Sequence, residues 1–118
     1  NCFFMGVTQG GFTANFTHML NEQSNHIAYM VSRFNQAESQ TVEASAEAEA
    51  DWVATINLVA RNNLAFQQEC TPGYYNNEGQ PGANVGLSAG QYGGGPVEFF
   101  RLIKDWREEG SLAGLNLA

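Results

Sequence analysis

The sequence predicts an α/β fold, rich in helix and with a few short strands. Three observations carry that expectation. Apolar residues recur at three- to four-residue spacing in three separate stretches, as amphipathic helices require. Phe3–Gly6 is apolar throughout, which fits a short strand buried on both faces, as in a parallel sheet. Gly- and Pro-rich segments separate these stretches where a chain turns. The 118 residues suffice for one domain with a modest core. Neither an internal repeat nor a domain boundary is visible.

Taken in order, the Phe3–Gly6 strand leads into Val7–Ala14, whose glycines and threonines read as a loop. Phe16, Met19, Leu20, Ile27, Val31 and Phe34 then form one stripe. It predicts a helix from about Asn15 to about Phe34, with Asn15 or Thr13 as N-cap. A strand, a Gly-rich loop and a helix N-terminus in succession aim backbone N–H groups and the positive dipole end at a ligand. Thr41–Ala44 fits a brief edge strand. Ser45 suits an N-cap, and Glu47, Glu49 and Asp51 enrich the turns after it in acid. Trp52, Ile56, Val59 and Ala60 mark a second helix ending near Asn63. A loop dense in turn-formers, Tyr and Asn follows, from about Glu69 to Asn84. Val85–Tyr92 alternates like a strand, weakened by Gly86 and Gly90. Pro96 opens a third helix, with Phe99, Leu102, Ile103 and Trp106 as its apolar stripe. Arg101 and Asp105 form an i,i+4 pair on it, and Gly110 is its stop. Leu115–Leu117 reads as a closing strand.

Composition excludes several function classes. Five Lys and Arg oppose twelve Asp and Glu, for a formal charge of −7. Nucleic-acid binding needs clustered cations, and none are clustered here. The same balance disfavours anionic membrane surfaces, and no apolar run is long enough to span a bilayer. Two cysteines do not make a disulfide framework, so reduced thiols and a cytoplasmic setting are expected. The chain opens on Asn1 without an initiator Met, as a processed product or a fragment would.

Several constellations compete with plainer readings. His18, Glu22 and His26 share one helix face and are metal-ligand types. A half-buried helix face explains them better, since no fourth ligand or H-E-x-x-H motif is present, and no metal site is assigned. Glu43, Glu47, Glu49 and Asp51 lack calcium-loop order and fit a solvated helix start. Cys70 has Glu69 rather than a cation beside it, so it reads as a structural thiol. Gly6–Asn15 can cradle an anionic group, although it is neither a G-x-G-x-x-G nor a P-loop. Gly93–Gly95 is assigned to turning the chain. Cys70–Gly79, with two tyrosines and two asparagines among turn-formers, reads as a binding loop.

In sequence, Phe3–Phe16, the helix carrying Glu22, Gln23 and His26–Met30, Cys70–Gly79 and Gly93–Arg101 resemble the C-terminal portion of flavin-dependent Baeyer–Villiger monooxygenases. The resemblance covers nearly the whole chain. It implies a helix-rich C-terminal fragment of a flavoprotein with two dinucleotide-binding domains. Residues up to about 35 would end the FAD-binding domain, and those from about 36 to 118 would supply C-terminal helices, a cofactor-side loop and a tail. Such enzymes use FAD, NADPH and O2 to insert one oxygen atom next to a ketone carbonyl, giving an ester or lactone. The resemblance places Asn15, Phe16 and Thr17 at the cofactor, and Phe12 and Thr13 at the ketone pocket. Thr71, Tyr75 and Asn76 would lie in a loop over the nicotinamide cofactor. Many members carry there the pattern Ser-Trp-Tyr-Thr-Gly-Ala-Asn-x-x-Gly. Asn76 and Gly79 match it, but Thr71 stands where the Trp would be.

No dinucleotide fingerprint is present in this chain. Arg33, Arg61, Arg101 and Arg107 all fall on expected helices, so no residue here is assigned as catalytic. The fragment is expected to be inactive alone, to need the N-terminal part of the enzyme, and to self-associate through its uncovered apolar strand. Two rival readings stand beside this one. One is a small non-enzymatic binding or interaction module. The other is a related flavin monooxygenase that oxidises amines or sulfides.

Overall fold

The computed structural model describes residues 1–59, 69, 71–73, 78 and 90–118. Among them lie three helices, α1 (Phe16–Gln36), α2 (Ala46–Val59) and α3 (Pro96–Glu109). Two strands, β1 (Val42–Ala44) and β2 (Leu115–Leu117), complete the described elements. The helix-rich expectation holds, but the sheet differs from the expected one. β1 and β2 pair antiparallel, with Val42 opposite Leu117 and Ala44 opposite Leu115. Thr41 and Ala118 exchange backbone hydrogen bonds that extend the ladder.

Phe3–Gly6 forms no strand here and stays irregular. A strand buried on both faces needs neighbours on both sides, and the described residues supply none. Phe4 is consequently 90% exposed. Asn1 alone behaves like a ladder residue. Its Oδ1 accepts the Val42 N–H at 2.8 Å, and its Nδ2 donates to the Gln40 carbonyl at 2.9 Å. It thereby covers the outer edge of β1, which would otherwise offer unpaired backbone groups.

The Asn15 carboxamide caps α1, accepting the His18 N–H at 3.0 Å. Met19, Met30 and Phe34 are its buried face. Val31, expected on that stripe, is exposed, because it lies about 100° round the helix from Met30. Ser45 starts α2 as expected, its hydroxyl accepting the Ala48 N–H at 3.2 Å. Ile56 is fully buried and Trp52 partly so, while the off-stripe Leu58 faces solvent. The expected continuation of α2 to Asn63 lies outside the described residues. So does residue 85–89 of the expected Val85–Tyr92 strand, whose described end, Gly90–Tyr92, is irregular. Pro96 begins α3, and Gly110 ends it in the left-handed conformation at φ 72°.

Two apolar clusters hold these elements. Met30, Phe34 and Val42 form one, joined by Trp106, Leu115 and Leu117. Ile56, Tyr92 and Phe99 form the other, with the Trp52 ring stacked on Tyr92 at 5.7 Å. Side-chain contacts advance in the same direction along α1 and α3. His18 meets Phe100, His26 meets Trp106, and Arg33 reaches the Gly110 carbonyl. The two helices therefore run parallel. No helix among the described residues is long and apolar enough to cross a membrane.

Candidate functional site

The start of α1 brings together five of the residues singled out in the sequence. Phe12, Thr13, Asn15, Phe16 and Thr17 form one continuous turn into the helix. The Thr13 hydroxyl accepts the Asn15 N–H at 3.2 Å, which orders the turn ahead of the cap. Asn15 then satisfies the His18 N–H with its side chain and the Met19 N–H with its carbonyl. The N–H groups of Phe16 and Thr17 have no acceptor within the helix, as in any first turn. They point outward with the positive end of the helix dipole behind them. The rings of Phe12 and Phe16 are about half exposed on either side of the cap. Among the described residues, this turn therefore presents two backbone donors flanked in sequence by two half-exposed aromatic side chains.

Thr71 is exposed in a described piece of the second loop. Tyr75 and Asn76 lie outside the described residues, as does Cys70. His18, Glu22 and His26 share one face, but that face meets α3. The His18 ring is 5.2 Å from Phe100, and the His26 ring 5.1 Å from Trp106. Glu22 pairs with Arg107 at 3.9 Å, and the Arg107 Nη1 approaches His26 Nδ1 at 3.5 Å. Burial and then the Arg107 charge lower the His26 pKa from 6.5 to about 4. His26 is therefore neutral at physiological pH. Among the described residues, no group of three or more His, Cys, Asp or Glu side chains could hold a metal ion.

The described arginines have partners of their own. Arg101 binds Glu98 through Nε at 3.0 Å and Asp105 at 2.9 Å, on the exposed face of α3. Its hydrogen bond holds the Glu98 carboxyl below the usual range. Arg33 donates to the end of α3, and Arg107 joins α3 to α1.

Behind the α1 turn lies a cleft of about 560 Å³, which the sequence did not disclose. The irregular N-terminal segment forms one wall, and Gln23, His26 and Ile27 of α1 another. Trp52, Phe99 and Ile103 close it from α2 and α3. Gln23 was the available signal. It is a polar residue four positions after the buried Met19 and seven before the buried Met30, so it belongs to the apolar face.

No family model matches the chain. The neopentalenolactone D synthase of Streptomyces avermitilis is 48% identical over 117 residues, which are 99% of this chain and 20% of that protein. A Baeyer–Villiger monooxygenase of Streptomyces coelicolor is 39% identical over 109 residues, 92% of this chain and 17% of that protein. Baeyer–Villiger monooxygenase 4 of a Dietzia species is 33% identical over 111 residues, 94% of this chain and 18% of that protein. The chain thus spans about a fifth of the length of these relatives. Over nearly all of its residues the chain is thus similar to one part of a lactone synthase and of two Baeyer–Villiger monooxygenases.

Proposed function

We propose that this chain is the C-terminal part of an FAD- and NADPH-dependent monooxygenase that inserts one atom of O2 next to a ketone carbonyl. The product is an ester, or a lactone where the ketone is cyclic. The observation that carries this reading is the identity to two Baeyer–Villiger monooxygenases over 92–94% of the chain, and to a lactone synthase over 99% of it. A relative named for lactone synthesis favours a cyclic ketone. The redox chemistry with O2 belongs to the flavin.

This chain's residues bind and orient. The Phe16 and Thr17 N–H groups would hold the acceptor edge of the flavin, and Asn15 fixes the turn that presents them by capping it. Phe12 and Thr13 line the ketone pocket, where the Phe12 ring excludes water and the Thr13 hydroxyl stiffens the turn. Thr71, Tyr75 and Asn76 would belong to a loop over the nicotinamide cofactor, as the resemblance implies. A smaller residue at Thr71 leaves more room there than the tryptophan many relatives carry. With each described arginine engaged elsewhere and no dinucleotide fingerprint in the chain, catalysis needs the rest of the enzyme. The exposed Phe4, Met5, Phe12 and Phe16 are surface for that larger part to cover.

The test uses the full-length protein, purified and scanned for bound flavin, then assayed for NADPH oxidation with a cyclic ketone, a sulfide and an amine. A yellow protein whose oxidation of NADPH is coupled to ester formation supports the proposal. A colourless protein sinks it. Turnover of the sulfide or amine alone moves the activity to heteroatom oxidation.

A further inference from the structure

We infer that Gln23 is a positioning residue, whose side-chain amide clamps the Gly6–Gly11 loop and so sets where the start of α1 stands. The inference rests on the proposed flavin site, which that loop feeds directly. The clamp has two points. The Gly6 N–H donates to Gln23 Oε1 at 2.9 Å, and Gln23 Nε2 donates to the Gly6 carbonyl at 2.7 Å. One side chain thus satisfies both polar groups of one residue, as a neighbouring strand would. That fixes the rotation of the Gly6 backbone as well as its distance from α1. Gly6 adopts φ +141°, a region that essentially only glycine enters.

The loop is held on its opposite side by backbone alone. The Gln9 N–H donates to the Gly90 carbonyl at 2.7 Å, and the Tyr92 N–H to the Gly10 carbonyl at 3.0 Å. Gln9 itself stands at φ +53°, an uncommon conformation for a non-glycine residue. Gly11 rests directly against Phe99. Between these restraints, Gln23 is the side chain through which α1 grips the loop entering its own N-terminus. Ile27 and Phe99 line the same cleft, and both hydrogen bonds are partly buried there. A change of a few tenths of an ångström at Gly6–Gly11 passes to Phe12, Thr13 and Asn15, and reacting groups tolerate little misplacement.

The test compares Gln23→Leu and Gln23→Glu with the native full-length protein. In the flavin-free form, hydrogen exchange across residues 6–11 is expected to rise about ten-fold in Gln23→Leu, with α3 amides unchanged. In the flavin-loaded form, the share of NADPH oxidised without ester product is expected to rise, with kcat falling more than KM rises. Gln23→Glu supplies a signature that simple space-filling cannot. A protonated carboxylic acid accepts and donates like the amide, whereas the carboxylate repels the Gly6 carbonyl. Its coupling is therefore expected to stay impaired at pH 7 and above, and to recover only as pH is lowered toward the ordinary glutamate range of about 4–5. Unchanged exchange at residues 6–11 in Gln23→Leu overturns the clamp. Changed exchange with native coupling and native flavin spectrum overturns the positioning role. A native protein that binds no flavin overturns the underlying reading instead, while the exchange experiment still decides the clamp.

Discussion

Gly11→Ala puts the packing at the base of the candidate site to a direct test. A methyl group at Gly11 would lie 2.8 Å from Phe99 Cβ and 2.9–3.0 Å from the near edge of its ring. Two effects oppose each other. Alanine restricts the open chain and so stabilises by about 0.4–1 kcal/mol where its backbone fits. The overlap costs about 1–3 kcal/mol, because overpacked cores relax only by distortion. The overlap should win. The nearest atom is a Cβ fixed to the α3 backbone, not the far end of a flexible side chain, and the ring is buried against Ile56 and Tyr92. The net expectation is about 1–2 kcal/mol of local destabilisation. Tyr92 reports it, since its N–H donates to the neighbouring Gly10 carbonyl at 3.0 Å. Hydrogen exchange of the full-length protein should show Tyr92 protection reduced about 5- to 30-fold. Combining Gly11→Ala with Phe99→Leu should recover part of the loss, because the two positions touch. Unchanged protection, or strictly additive losses in the double variant, would refute the packing argument.

Other outcomes follow from the same structure. Ile56→Ala empties a fully buried position between Tyr92 and Phe99 and should cost about 2–5 kcal/mol, read from denaturant unfolding. Asn15→Ala removes the α1 cap, should cost about 0.5–2 kcal/mol, and should weaken flavin binding in a fluorescence titration. Tyr75→Ala in the full-length enzyme should raise the KM for NADPH while leaving flavin content unchanged; loss of flavin with normal NADPH kinetics would contradict the loop assignment. His26 has a folded pKa of about 4 against 6.5 when unfolded. Its contribution is therefore fully present above pH 6.5 and lost as pH falls from 6.5 toward 4. The melting temperature of His26→Gln should accordingly drop less than the native one across that window, and parallel curves would show that His26 carries none of the acid sensitivity.

The helices were legible because each signal was local. Asn15, Ser45, Pro96 and Gly110 mark ends by capping or backbone chemistry that needs no distant partner, and each sits where that chemistry requires. The antiparallel pairing of Val42–Ala44 with Leu115–Leu117 was not legible, since strand partners are chosen by packing across the whole chain. Phe3–Gly6 misled for a related reason. Its composition suits a strand buried on both faces, but composition cannot supply the neighbours. His18, Glu22 and His26 suggested a ligand set by their spacing. Their actual partners, Phe100, Arg107 and Trp106, lie some eighty residues away on α3. The turn at Phe12–Thr17 was readable from its Gly-rich approach and its cap. Gln23 was not, because nothing in the local sequence says that its amide meets Gly6, seventeen residues earlier.

The central claim is that this chain serves an oxygen-inserting flavoenzyme. Its most direct test is turnover of a cyclic ketone by the full-length protein under 18O2, with the product read by mass spectrometry. The account predicts a lactone carrying one 18O atom in the ring and none when the label is supplied as water. Unlabelled product, or no lactone while NADPH is consumed on other substrates, would contradict it.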